Sequence, residues 1–201
     1  MRKVFMQAEF DINPTYEAFY IESLLWHTNS ALDAIKEIGD WIEFVIEDNP
    51  KALDLPKEEL FQKLQLIIQH AASISKFFWP IRKGEKGLHK KRGRKLRTSL
   101  SISEDSALKS RVLRDHIEHF DEKLDVYLTS NFVGEFIPQD VGLEYPEGEV
   151  PLHIFKGFYI NPRIFVLLGN KYELIPIVQE VERIHDILLE CVNCGYRLRS
   201  A

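Results

Sequence analysis

The chain has 201 residues, 45% of them hydrophobic and 28% charged, with a net charge of −5. This composition is that of an ordinary globular protein, and the length favours a single domain over residues 1–201. The sequence contains no run of about 18 apolar residues, which excludes a membrane-spanning helix. Because the first residues lack the apolar core of a signal peptide and only two cysteines occur, we expect a cytoplasmic protein with no membrane partner.

Two long helices are predicted in the first part of the chain. Asn13-Pro14 is a good helix start, since Asn caps and Pro fits the first turn, and the pattern ends at Asp48-Asn49-Pro50. A second apolar pattern starts near Leu55-Pro56 and stops at Trp79-Pro80. Apolar residues recur every three or four positions in both patterns and the connection is short, so we expect an antiparallel helical hairpin.

Positive charge is concentrated directly after this hairpin. Residues 82–97 carry nine Lys or Arg and one acidic residue, although the chain as a whole is acidic. We predict a glycine-punctuated basic loop over residues 82–100 that attracts a polyanion, with Arg92, Arg94 and Arg97 as substrate-binding residues. The alternative is a flexible run of charge that is only solvated.

A third helix is predicted from a cap at Ser101 or Ser103 to about Leu128. One side of it is apolar, and the opposite side collects ionisable groups of several kinds: Arg111, Arg114, Asp115, Glu118 and His119. A histidine and two arginines on one polar face can contact a phosphate and move a proton. The alternative is a solvated face joined by ion pairs at i,i+4 spacing, such as Arg111–Asp115 and Arg114–Glu118.

The C-terminal part gives a weaker pattern. Residues 131–161 show no clear period and are predicted to be a wrapping loop. A small β-hairpin is predicted over about residues 163–175, and Pro176 begins the last helix. We therefore predict a mainly α fold, a helical bundle of four to five helices with a small C-terminal β-hairpin.

The segment from Arg114 to His119 resembles the Arg-x4–6-His motif of the HEPN superfamily, in which the residue after Arg is typically Asn, Asp or His, as Asp115 is here. The resemblance implies a helical domain and metal-independent endoribonuclease activity, with no cofactor. It also implies that His119 transfers the proton, Arg114 neutralises the scissile phosphate and Asp115 orients one of them, while Arg111 and Glu118 assist substrate binding.

The resemblance extends to partners. HEPN nucleases pair two motif helices across a dimer, so a homodimer is expected. For a protein of toxin or defence type, the candidate partners are RNA or a nucleotide, and an antitoxin protein. A second interpretation keeps the helical fold but not the catalysis: a non-catalytic HEPN-like module that binds nucleotide, nucleic acid or a protein partner.

The two cysteines form a single Cys-x2-Cys pair, Cys191 and Cys194. A structural zinc site needs about two further ligands, and the sequence has no second cysteine pair to supply them. We therefore expect no metal site and predict that both cysteines pack in the core at a helix end.

Overall fold

The computed structural model describes residues 12–81, 87–110, 112, 115, 118–130 and 133–199. Within these ranges the fold is mainly α, as predicted, with five helices and one four-stranded sheet. The helices are α1 Glu17–Ile46, α2 Lys57–Phe78, α3 Leu88–Ser99, α4 Phe120–Ser130 and α5 Ile175–Asn193. The strands are β1 Glu135–Gly142, β2 Leu152–Tyr159, β3 Ile164–Leu167 and β4 Asn170–Glu173. None of the described helices is both long enough and apolar enough to cross a membrane.

Helices α1 and α2 form the predicted antiparallel hairpin. The Asn13 side chain accepts a hydrogen bond from the Thr15 N–H at 3.1 Å and leads the chain through a short 3₁₀ turn into α1. Lys63 of α2 pairs with Glu37 near the end of α1, whereas His70, later in α2, contacts His27, earlier in α1. The two helices therefore run in opposite directions.

The main core lies between this hairpin and the last helix. Helix α5 begins at Ile175, close to the predicted start, and packs its apolar side on α1. The side chains that meet there are almost completely buried, among them Ile21, Leu24, Ile74 and Val181. Burial of these apolar side chains away from water is the main source of stability for such a helix.

The basic segment is a helix where a loop was predicted. Residues 88–99 form α3, and the rest of the predicted loop before Gly87 lies outside the described residues. Lys and Arg are good helix formers, and Leu96 and Leu100 are fully buried and anchor the end of α3 in the core. The prediction of a loop was wrong because it gave too much weight to the glycines and to the charge.

The start of the third predicted helix was also placed wrongly. Residues after α3 form turns and a 3₁₀ turn at Ala107–Lys109, in which the Ser106 side chain accepts from the Leu108 N–H. Ser101 has a positive φ of 52°, which no helix start adopts. The described helical residues follow at Val112 and beyond, and α4 itself begins at Phe120.

The sheet is larger than the predicted hairpin. Its order is β1-β2-β3-β4, with β1 parallel to β2 and the other neighbours antiparallel. The hairpin β3–β4 is the predicted one, but β1 and all of β2 lie within residues 131–161, which were predicted to be a loop. Pro138 lies inside β1 and is skipped in the pairing with β2, which fits its place on an edge strand.

The sheet packs on the hairpin through aromatic side chains. Phe158 of β2 and Phe165 of β3 contact Trp41 of α1 and Phe61 of α2, with ring centroids 6.5 Å apart in both pairs. Helix α4 lies against the same region. Nζ of Lys156, in β2, lies 5.0 Å from the centre of the Phe120 ring at the start of α4. The start of α4 is thereby held beside the sheet.

Candidate functional site

The C-terminal end of α2 is held by two arginines of α3. The Arg92 guanidinium donates to the carbonyl oxygen of Lys76 at 3.0 Å and to that of Phe77 at 3.4 Å. Arg97 donates to the Phe78 carbonyl oxygen at 2.5 Å. The last carbonyls of a helix lack partners within the helix and form the negative end of its dipole, so these arginines satisfy and neutralise the end of α2.

The same two guanidiniums also lie on aromatic rings. Arg92 stands 5.4 Å above the centre of the Phe77 ring, and Arg97 stands 5.8 Å above that of Trp79. Burial lowers the pKa of Arg92. Arg97 in addition pairs with Glu104 at 3.1 Å. Two of the three predicted substrate-binding arginines are therefore occupied in part by contacts within the fold.

A glycine permits this close approach of α3. A Cβ added to Gly93 would lie 2.5 Å from the Phe78 carbonyl oxygen and 3.0 Å from Cδ of Pro80. Any larger residue would push α3 away from the end of α2. Gly93 is buried, and it lies between Arg92 and Arg97 in α3.

The outer side of α3 is cationic. Lys90 and Arg94 are exposed, while Lys91 and Lys95 are half-buried beside them. Helix α3 itself contains no Asp or Glu. A row of positive charge therefore lies along one helix, where it attracts a polyanion, and Arg94 is the predicted substrate-binding arginine that lies on it.

Of the motif segment, which runs from Arg114 to His119, the structure describes Asp115, Glu118 and His119. The His119 side chain is 56% exposed, and its Nδ1 lies 3.8 Å from Oε2 of Glu122. The His119 N–H donates to the Asp115 carbonyl oxygen at 3.1 Å, so the two residues lie one helical turn apart, with Asp115 half-buried. Arg111 and Arg114 lie outside the described residues.

The motif segment and the cationic helix meet at Lys76. Nζ of Lys76 lies 3.4 Å from Oε1 of Glu118, while the carbonyl oxygen of the same residue accepts from Arg92. Glu118 immediately precedes His119 in the chain. Glu118 and Arg92, which are separate in the sequence, therefore both contact Lys76 at the C-terminal end of α2.

A pair of histidines lies between α1 and α2. The Nδ1 atoms of His27 and His70 are 3.0 Å apart, with the ring of Trp26 edge-on to both. Burial and the neighbouring His70 lower the pKa of His27, and burial lowers that of His70. One ring donates and the other accepts, so the arrangement requires at least one neutral imidazole. The two histidines are 43 positions apart in the sequence, and the antiparallel hairpin brings them together.

A buried histidine, His153, attaches α4 to the sheet. The Val133 carbonyl oxygen lies 2.8 Å from Nε2 of His153, so this nitrogen must donate. Nδ1 then accepts from the Tyr127 hydroxyl at 3.0 Å. Phe136 stacks on the imidazole, with ring centroids 4.7 Å apart. Because both ring nitrogens have partners and the side chain is buried, His153 has a structural role.

The structure places the cysteines differently from one another. Cys191 is buried, as predicted, and burial raises the pKa of its thiol, whereas Cys194 is exposed, contrary to the prediction. Cys194 is the residue after the last turn of α5, where the helix leaves the core. Among the described residues, no group of three or more His, Cys, Asp or Glu is arranged to hold a metal ion.

Comparison with known proteins gives no match to this chain among family models, curated proteins or solved structures. The functional argument therefore depends on the residues and contacts described above.

Proposed function

We propose that the protein binds RNA on the outer side of α3 and cleaves it without a metal ion, as an endoribonuclease of HEPN type with His119 as the proton-transfer residue. The observation that carries the proposal is the meeting of the motif segment and the cationic helix at Lys76. A strand held by α3 would pass close to the segment that bears the imidazole.

The binding step needs positive charge that a phosphate backbone can reach. Lys90 and Arg94 project into solvent from a helix without acidic residues. Neutralising phosphates releases counterions, which drives binding without any reading of base sequence. The arginines that hold the end of α2 contribute to the local field, although their hydrogen bonds are directed inward.

The cleavage step uses the 2′-hydroxyl of the RNA as nucleophile. His119 accepts the proton of this hydroxyl as its oxygen forms a bond to phosphorus, and the bond from phosphorus to the 5′-oxygen breaks. The departing oxygen receives a proton, and the products are a 2′,3′-cyclic phosphate and a free 5′-hydroxyl. In this proposal Arg114 neutralises the negative charge on phosphorus, Asp115 orients the pair, and Arg111 and Glu118 line the substrate path.

A homodimer belongs to the same proposal. One motif segment supplies one imidazole, and a second copy would supply the acid that protonates the leaving oxygen. An antitoxin protein that covers the site fits a toxin or defence role. Light scattering tests the dimer: we expect twice the mass of the chain, and a monomer that still cleaves RNA would remove the composite site.

Binding without cleavage is the second candidate function, and one observation favours it. The groups near the His119 imidazole in the described structure are acidic, with Glu122 at 3.8 Å and Glu118 adjacent in the chain. Carboxylates repel a phosphate backbone and weaken a nuclease site there. In this case α3 still binds RNA, but His119 is not a catalytic residue.

A cleavage assay in EDTA separates the two candidates. Labelled single-stranded RNA is incubated with the protein and with His119→Ala, and cyclic-phosphate ends are scored. We expect His119→Ala to lose about 100-fold or more of the rate while it binds RNA normally by fluorescence anisotropy. Lys123→Ala, one turn after His119 in the chain, is the matched control and should cleave as the parent does. Equal cleavage by His119→Ala contradicts the catalytic assignment, and binding without any cleavage supports the second candidate.

A further inference from the structure

An apolar cleft of about 180 Å³ lies where the helical hairpin, the sheet and the start of α5 meet. Its walls come from α1, α2, β2 and α5, and include Ile38, Leu64, Phe158 and Val178. Nine of the residues that line it carry apolar side chains, and the other two are Gly39 and Arg163. The cleft therefore offers a predominantly apolar surface with a single charged group.

The charged group has an incomplete set of partners within the fold. Arg163 is half-buried, and its guanidinium donates to the Ile160 carbonyl oxygen at 2.6 Å. No Asp or Glu in the described parts of the chain forms an ion pair with it. A guanidinium has five N–H donors, so several are left for an anion. An anion bound beside a half-buried cation stabilises it through charge-assisted hydrogen bonds.

The first turn of α5 borders the same cleft. Leu174 and Ile175 line it, and no side chain caps this end of the helix. The positive end of the helix dipole adds to the charge of Arg163. The positive charge of Arg163 and the start of α5 thus complements a negative group, while the apolar walls complement a hydrocarbon chain.

We propose that this cleft binds a linear carboxylic acid of roughly six to eight carbons, with the carboxylate on Arg163 and the chain against the apolar walls. The volume limits the chain length. About 180 Å³ corresponds to about six water molecules at roughly 30 Å³ each, and a methylene group occupies a similar volume. This site lies apart from α3 and His119, so it does not depend on the proposed RNA cleavage.

Gly39 provides a way to close the cleft without disturbing the fold. It is exposed on α1, and an added Cβ would meet no atom within 4 Å. Gly39→Leu should therefore fold and fill part of the cleft. Gly39→Ala adds only the Cβ and is the matched control, and Arg163→Gln removes the charge but leaves the walls.

Isothermal titration with octanoate and with octan-1-ol tests the site. We expect the parent protein and Gly39→Ala to bind octanoate more tightly than octanol. Arg163→Gln should weaken octanoate about tenfold or more and leave octanol unchanged, while Gly39→Leu should weaken both ligands. Circular dichroism confirms the fold of each variant.

Three results would overturn the proposal. The parent protein shows no saturable octanoate binding at millimolar concentration; Arg163→Gln binds octanoate as the parent does; or Gly39→Leu retains parental affinity for both ligands.

Discussion

Replacement of Gly93 by alanine is the most direct test of how α3 is attached. The new Cβ would lie 2.5 Å from the Phe78 carbonyl oxygen, so the two atoms must separate by about 1 Å to reach ordinary van der Waals contact. Because the obstacle is backbone and not the end of a flexible side chain, α3 itself has to move. The hydrogen bonds from Arg92 and Arg97 to the end of α2 would lengthen with it.

The expected loss of stability can be worked out from these terms. Overpacking of this kind costs about 1–3 kcal/mol, and the weakened arginine hydrogen bonds cost about 1 kcal/mol more. Alanine is the better helix former by about 1 kcal/mol, which offsets part of the loss. The free energy of unfolding should therefore fall by about 2 kcal/mol, which lowers the Tm of a chain of this size by about 4–8 °C.

Gly39→Ala provides a matched control for the sign of the effect. Gly39 is also inside a helix, but its added Cβ meets nothing within 4 Å, so helix propensity alone should act. The free energy of unfolding should rise by about 1 kcal/mol. Thermal and urea denaturation followed by circular dichroism measure both variants. If both substitutions raise Tm by the same amount, α3 does not approach the end of α2 as described.

Three further predictions concern single groups. Burial and a neighbouring histidine lower the pKa of His27 below 6.5. The unfolded chain therefore binds more protons than the folded chain, and stability falls as the pH drops below about 6.5. His27→Phe should reduce the difference between the urea midpoints at about pH 7.5 and about pH 5.5, and an unchanged difference would contradict this. Tyr159→Phe removes a 2.7 Å hydrogen bond to Asp140 and should cost about 1.5–3 kcal/mol in urea denaturation, whereas a loss below about 0.5 kcal/mol would show that water replaces the bond. The double variant Lys90→Ala and Arg94→Ala should lower the slope of log K against log salt for single-stranded RNA by about 1.4; an unchanged slope would place the RNA elsewhere.

The two ends of α1 could be predicted because they depend on local chemistry. Asn13 caps the entry to α1, and the Asn49 side chain accepts from the backbone N–H two residues later, next to a proline in each case. Those interactions involve residues adjacent in the chain, so the residue types alone predict them. The antiparallel hairpin follows from the short connection between the two helices.

Features that depend on distant neighbours were missed. Gly93 was interpreted as a loop residue, although it is required because the end of α2 packs against it. Strand β1 escaped prediction because Pro138 and its weak alternation resemble a loop, and its partner is supplied only by the folded sheet. In the sequence, Arg92 and Arg97 fit a ligand-binding segment as well as Arg94 does. Only their hydrogen bonds to carbonyl oxygens of α2 show that they also have a structural role.

The catalytic roles assigned to the candidate site stay predictions, although the structure describes the positions of some of its residues. His119 is exposed, as a proton-transfer residue must be, and Glu118 lies beside the end of α2. The pairing of Arg114 with His119 stays a prediction. The contact through Lys76 that joins the motif segment to α3 could not be foreseen, because residues 76, 92 and 118 come from three different elements.

The two borders of the sheet limit how this protein can assemble. Strand β1 has a proline in its middle, which leaves a gap in the row of N–H donors, and β4 has only four residues, two of them the charged Lys171 and Glu173. Both features discourage strand addition from a second polypeptide. Copies of this chain, or a different protein, should therefore associate through helical surfaces, and a β-strand peptide should bind poorly at either edge of the sheet.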